Sequence, residues 1–286
     1  MKKLQIIALV VLASMAIIGC ATNQSAGKDA PVPQITQLGL GEMFVYDFGT
    51  IKLHAYNSKD LIADQAFLLE SKNELTLIEL IPFYANIEEF SKYIQGLGKP
   101  LNSVIVAYHP AGGDVYPNAK MYASEGLGEA ALVPYFAESF GNIFNANLPK
   151  AYELVKPGLM TVGGIRFNVI QTAHAFDLEI PEINVYLAHM VGSNTHNILT
   201  SIDDIDGMIA QMKGFQSKKY RLILTGHDIP RTIDVAAEKI AYLEKTKELA
   251  KSSNNAGAFI QAMKNAFPNY YGENYLEMSA GALFGS

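Results

Sequence analysis

The apolar positions of this chain fall into short dense blocks, which predict buried strands, and longer stretches with a helical period. Residues 103–107 form a valine- and isoleucine-rich run bounded by polar and turn residues, the pattern of a strand covered on both faces. It leads into Tyr108, His109 and a turn containing Gly112 and Gly113. Two later stretches repeat the arrangement: residues 167–172 run into Ala173-His174, and residues 220–224 run into Thr225-Gly226-His227. Three of the six histidines therefore follow predicted buried strands, the place where open α/β sheets collect ligands.

The remaining pattern fills in an alternation of strands and helices. Residues 43–48 and 50–56 read as strands around Gly49. In the second, Lys52, His54 and Tyr56 alternate with Ile51, Leu53 and Ala55, which puts His54 on a polar face as a solvated side chain with no assigned role. A hairpin is predicted from residues 65–70 and 75–80 across Lys72-Asn73-Glu74. Asn86 and Glu89 have capping-box spacing at the start of a helix whose apolar face is Ile87, Phe90, Ile94 and Leu97. Gly96 and Gly98 end that helix before the strand at 103–107. Further on come a short strand at 119–123, a helix at 129–140 with Pro134 near its start, and a hairpin of 159–162 with 165–172. A strand at 184–189, a helix capped by Ser201, a helix at 234–251 and a shorter one at 256–267 complete the series.

Composition adds a compartment. Met1-Lys2-Lys3 and the apolar run at 4–18 have the form of a secretory signal, and the run is short for a bilayer span. Ile17-Ile18-Gly19-Cys20 resembles the bacterial lipobox, in which the cysteine becomes the first mature residue and carries acyl chains. Cys20 is the only cysteine, which excludes an intramolecular disulfide. Residues 1–19 are thus expected to be a signal peptide, 20–37 a lipidated tether, 38–252 the folded domain and 253–286 a helical tail packed on it. Because residue 21 is Ala rather than Asp, resemblance to sorted lipoproteins points to the outer membrane, with the domain in the periplasm. The formal charge of −6 becomes −8 once residues 1–19, with Lys2 and Lys3 and no acid, are removed. That balance argues against nucleic acid as a partner and leaves the membrane, reached through lipid, and a small molecule.

The order of elements matches a known family. QAFLLESKNELTLIELIPF, the following helix, SVIVAYHPAGGDVYPNAKMYAS, IQTAHAFDLEIPEINVYL and LILTGHDIP together resemble the metallo-β-lactamase fold over roughly residues 40–250. The resemblance implies an α/β protein built as a four-layer αββα sandwich, with one or two zinc ions at one end. The family's His-x-His-x-Asp-His cluster is only partly present: His109-Pro110 and Gly112-Gly113 match, Ala107 stands where the first histidine belongs, and the Asp-His pair is missing. His174 matches the histidine of the family's Gly-His-Thr turn, and His227 matches its late Gly-His element. Glu79 and Ile81 stand where the family has aspartate and glycine, and no acid follows the strand at 184–189 until Asp203.

The resemblance therefore implies at most one zinc ion, held by His109, His174 and His227, with Asp114 a further candidate ligand and His189 and His196 in reserve. Tyr108, Gly112 and Gly113 are expected at the pocket, and Gly112-Gly113-Asp114 reads as a tight turn rather than a phosphate cradle. Two functional expectations follow. The first is an atypical or non-hydrolytic member that binds a small ligand or partner in the former active-site cleft. The second is a zinc hydrolase of an ester, lactone, thioester or amide, in which three protein ligands and an open position bring the pKa of bound water to about 7.

Overall fold

A computed structural model describes residues 30–285 of the chain. The basic start, the apolar run and Cys20, expected to form the lipoprotein signal, lie outside the described residues. Two sheets face each other. The first holds eight strands in sequence order: β1 (Gln34–Leu38), β2 (Gly41–Asp47), β3 (Lys52–Asn57), β4 (Gln65–Glu70), β5 (Leu75–Ile78), β6 (Leu101–Val106), β7 (Lys120–Ala123) and β8 (Glu153–Leu154). The second holds six, β9 (Gly158–Val162), β10 (Ile165–Gln171), β11 (Phe176–Ile180), β12 (Val185–Leu187), β13 (Leu222–Thr225) and β14 (Asp228–Arg231), also neighbours in chain order.

Hairpins give the antiparallel pairs, and helices supply most of the crossovers that parallel pairs need, whereas the parallel pair β6 and β7 is joined by the helix-free loop 107–119 that carries His109. α1 (Tyr84–Gly96) joins β5 to β6, which are parallel, and α3 (Ile202–Lys218) joins the parallel pair β12 and β13. α2 (Val133–Phe140) lies between β7 and β8, while α4 (Val235–Ser252), α5 (Ala256–Ala266) and α6 (Glu273–Phe284) follow the last strand.

The core is layered as the dense apolar runs require. Leu53, Phe67, Leu69 and Ile105 of the first sheet meet Phe167, Phe176, Leu178 and Leu224 of the second between the sheets. On the outer face of the first sheet Tyr56, Leu68 and Val104 pack under Phe90 and Ile94 of α1. On the outer face of the second, Tyr186 and Ile223 pack under Met212 and Phe215 of α3 and Val235 and Ala236 of α4. α5 and α6 then close over α3 and α4 through Phe259, Met263 and Leu276. The result is the expected αββα sandwich with helices at its C-terminal end. Among the described residues no helix is long and apolar enough to cross a membrane.

Several local expectations are corrected. β1 begins at Gln34, inside the stretch expected as a tether, and pairs along its whole length with β2. His54 is buried rather than solvated, because α1 covers the face of β3 that alternation alone assigned to water. Its Nδ1 meets the Tyr93 hydroxyl at 2.7 Å and its Nε2 meets Glu70 at 3.0 Å. Asn86 does not cap α1, which starts two residues earlier. Its buried amide donates instead to the Tyr56 hydroxyl at 3.1 Å and the Ser58 carbonyl at 2.7 Å. α6 (Glu273–Phe284) is a second helix in the expected helical tail, beyond the one predicted at 256–267.

Candidate metal centre

Three histidines converge at one rim of the sandwich, and each is delivered by the end of a strand. His109 follows β6, His189 follows β12, and His227 sits in the two-residue turn between β13 and β14. His189 Nε2 stands 2.9 Å from His109 Nε2 and 2.9 Å from His227 Nε2. One ligand nitrogen from each residue lies within 4.8 Å of the other two.

The backbone around the trio is held on both sides. Glu79, at the end of β5, accepts the backbone N–H of Tyr108 at 3.0 Å and that of His109 at 2.8 Å, which fixes the loop after β6. The His189 carbonyl accepts the Thr225 hydroxyl at 2.6 Å and the Gly226 N–H at 2.8 Å, which ties the two second-sheet histidines to each other. Gly226 makes the approach sterically possible. A Cβ there would lie 2.4 Å from Cδ2 of His189 and 3.1 Å from Cε1 of His109.

The rings are oriented from behind. His227 Nδ1–H donates to the Ile62 carbonyl at 2.9 Å, which leaves its Nε2 lone pair facing the other two rings. Asp64 Oδ1 lies 3.4 Å from His227 Nδ1 and 3.7 Å from His109 Nδ1, and Glu129 Oε1 lies 3.3 Å from His189 Nδ1. Tyr108 lies flat against His189 with ring centroids 4.4 Å apart, and its hydroxyl donates to the buried Asp177 at 2.6 Å.

Burial keeps the imidazoles uncharged. Desolvation, aided by the neighbouring histidines, holds His109 and His189 well below the usual histidine range, and desolvation brings His227 down to about 4. Burial also pushes Glu129 up to about 7, and Glu79 up to about 8 despite the N–H groups it accepts. Asp64 is raised well above the carboxylate range, by desolvation first and then by Asp60, Glu129 and Glu79.

This donor set fits a cation. Three neutral nitrogens stand within 4.8 Å of one another and the hydrogens between them can satisfy only some of the lone pairs, whereas one ion would satisfy all three. A tetrahedral zinc with bonds of about 2.0–2.1 Å separates its nitrogen ligands by about 3.3 Å, so to seat one the two 2.9 Å pairs would open by a few tenths of an ångström and the third pair, within 4.8 Å, would settle at the same spacing. His109 Nδ1 and Asp64 Oδ1 are both buried without a hydrogen-bond partner. An ion held by His109 Nε2 would place the proton on Nδ1, facing Asp64 Oδ1 3.7 Å away, and a small approach of the two would form the carboxylate–histidine pair common behind metal ligands. The buried carboxylates around the trio are likewise matched by positive charge at its centre.

The expected trio is thus rearranged. His109 and His227 come together, but with His189 in the third place. His174 lies at the exposed tip of the β10–β11 hairpin, where Thr172 N–H donates to the Ala175 carbonyl at 3.1 Å and the tight turn points the ring away from the sandwich. Asp114 is exposed and accepts the side-chain amides of Asn145 at 2.7 Å and Asn147 at 2.9 Å, so it is not a ligand candidate in this geometry. Gly112 and Gly113 shape the turn after His109 by passing close to Ile81 and Pro149, while Pro110 and Ala111 are the residues that reach the cavity. Tyr108 backs His189 and does not line the cavity. His196 is buried at a distance, with Nδ1 3.1 Å from the Tyr242 hydroxyl. His189 was legible in principle, because it too follows a dense apolar strand. Asp64 and Glu129 carried no periodic signal.

A cavity of about 410 Å³ opens over the three histidines. Asp64, Glu129 and the three imidazoles form its polar floor. α2 and its flanks, Ile198, and Tyr275 and Met278 of α6 form its walls.

No protein-family profile matches the sequence, and no curated protein matches it. Solved structures do match. A metallo-beta-lactamase family protein from Thermus thermophilus superposes with a TM-score of 0.61 at 14% identity, over 82% of this chain and 91% of that one. The stereoselective inverting sec-alkylsulfatase Pisa1 from Pseudomonas sp. gives 0.58 at 12% identity over 84% of this chain and 49% of its own, so the chain spans about half of that enzyme. A metallo beta lactamase from Erythrobacter litoralis gives 0.53 at 13% identity, over 74% of this chain and 100% of that chain. At these identities the likeness establishes architecture, and the two mixed sheets between helices are those of a metallo-β-lactamase fold.

Proposed function

We propose that the protein is a hydrolase dependent on a single metal ion, zinc by the chemistry of the ligands, held by His109, His189 and His227. The carrying observation is that three Nε2 atoms meet at the floor of an open cavity. Three protein nitrogens and a free side are the arrangement of catalytic zinc sites, whereas structural sites are closed by four ligands. Such an ion would supply Lewis acidity and acidify a water molecule at neutral pH.

The chain's own residues do the rest. The Ile62 carbonyl orients His227, Asp64 lies behind His227 and His109, and Tyr108 and Glu129 pack against and face His189. Glu129 also reaches the cavity, where its carboxyl can take a proton from water and return it to a leaving group. The apolar walls hold the body of the substrate and exclude bulk water, which strengthens each polar interaction at the floor.

The test is metal content together with turnover. Protein purified without chelator should carry about one equivalent of zinc and cleave activated esters, and His189→Ala should lose both while His174→Ala keeps both. Failure to bind zinc, manganese or iron when supplied would overturn the reading. Binding without hydrolysis, the first expectation from the sequence, gains support from the missing Asp-His pair of the family cluster. It corresponds to a protein that binds a small ligand or partner in the cleft, carries no metal in wild type or variant, and turns over no ester or amide. On the sequence alone we also propose that the mature chain is anchored by lipid on Cys20 in the outer membrane, facing the periplasm.

A further inference from the structure

The cavity's charges say what it accepts, provided that the hydrolase reading above holds. Leu132, Val133 and Phe136 form one wall, and Phe144, Ile198 and Met278 extend the apolar lining. The charged side chains among the lining residues are Asp64, Glu129 and Glu277, and none of the lining residues is a lysine or arginine. A substrate bearing a carboxylate, sulfate or phosphate away from the scissile bond would bury that anion on an apolar wall, with Glu277 among the lining residues and no lysine or arginine there to pair it. An uncharged chain laid on Leu132, Val133, Phe136, Phe144, Ile198 and Met278 meets apolar surface.

We propose that the substrate is a neutral ester with an extended apolar acyl chain, laid along the α2 and α6 walls with its carbonyl over the three histidines. Hydrolysis breaks the acyl C–O bond and joins the oxygen of water to the acyl carbon. One water proton leaves on the alcohol and the other with the acid, so water is the only co-reactant. Chain preference rests on wall residues such as Leu132 and Phe136, which neither hold nor orient the three histidines, so it can be varied apart from catalysis.

The test uses two probes of matched length that cannot be hydrolysed, 2-undecanone and decanesulfonate, the latter below its micelle-forming concentration. Binding to the purified full-length mature protein is followed by calorimetry, and p-nitrophenyl octanoate, acetate and sulfate are compared as substrates. The ketone should bind at least about tenfold tighter than the sulfonate, and the octanoate ester should be cleaved with the highest kcat/KM. Phe136→Lys should reverse the probe preference, and Leu132→Lys serves if that variant fails to fold. Equal binding of the two probes, or tighter binding of the sulfonate, overturns the proposal. Ketone preference without turnover of any ester upholds the pocket's selectivity and overturns the hydrolase reading. Turnover of acetate and sulfate esters as fast as octanoate does the opposite.

Discussion

Tyr108 lies on His189 with the two rings 15° from parallel, so the residue before one candidate ligand braces another from the opposite sheet. Its hydroxyl is held by Asp177, whose carboxylate also accepts the Tyr186 hydroxyl at 3.0 Å and the Gln211 amide at 2.7 Å. The two functions of Tyr108 are separable. Tyr108→Phe keeps the ring and removes one of three donors to a buried carboxylate, a loss of about 1.5–3 kcal/mol in urea unfolding with little change in zinc affinity. Tyr108→Ala frees His189 to turn and should weaken zinc about 10–100-fold in competition with a chromogenic chelator, the range for groups that orient ligands. Equal zinc affinity in Tyr108→Ala and wild type would show that the stacking does not orient the ligand.

Gly226 is the tightest steric constraint at the centre. With a Cβ 2.4 Å from the His189 ring, Gly226→Ala forces that ring or the β13–β14 turn to shift. Overpacking of this kind costs about 1–3 kcal/mol of stability. The larger effect should fall on the ion, because a displaced nitrogen no longer shares the common point. Chelator competition and chemical unfolding on the same preparation separate the two, and a variant with lost stability but wild-type zinc affinity contradicts the close-approach argument.

Lys239 gives a pH dependence away from the histidines. It is buried, donates to the Thr195 carbonyl at 3.1 Å and to Asn197 Oδ1 at 2.8 Å, and lies over the Tyr242 ring. Desolvation brings it down to about 7, against the upward pull of Asp228 and Glu238. Between that value and the ordinary lysine range the unfolded chain binds more protons than the folded one, so folding stability contributed by this residue rises with pH there and is lost on acidification down to about 7. Lys239→Met lacks this dependence. The stability of wild type relative to Lys239→Met should therefore increase between about pH 7 and about pH 10 in urea titrations. A flat difference across that range would mean that the lysine is not desolvated.

The anchor is tested at Cys20. Cys20→Ser should leave the protein unacylated and release it from membranes into the soluble envelope fraction, whereas wild type sediments with membranes and shifts on labelling with a fatty-acid analogue. Unchanged sedimentation of the variant would remove the case for lipidation.

The sheets were legible because their strands are dense apolar runs, and dense runs are covered on both faces wherever they lie. Single side chains were harder. Period-2 alternation in β3 suggested one wet face, but α1 lies over it, so His54 is packed against Tyr93. A capping spacing at Asn86 and Glu89 lost to tertiary contacts that bury the Asn86 amide. α6, with Gly281 among small and polar residues, has a weak helical period and is fixed by packing of Leu276 and Ala280 on the neighbouring helices. The site shows the same limit. His174 and His189 both follow predicted strands, and what separates them is the turn that comes next: a tight hairpin throws one ring outward, while the end of a strand paired in parallel with β13 aims the other inward. Sequence spacing carries the strand and not the direction of the ring.

The Gln65 N–H donates to the Gly226 carbonyl at 2.9 Å, a bond from the start of β4 in one sheet to the histidine turn of the other. His109 belongs to the first sheet and the other two imidazoles to the second, so no pair of nitrogens spanning the interface exists until the halves have docked. An ion gripping all three would act as a clasp on the whole sandwich. It would hold shut the opening motion by which the layers part and leave fraying within either layer untouched.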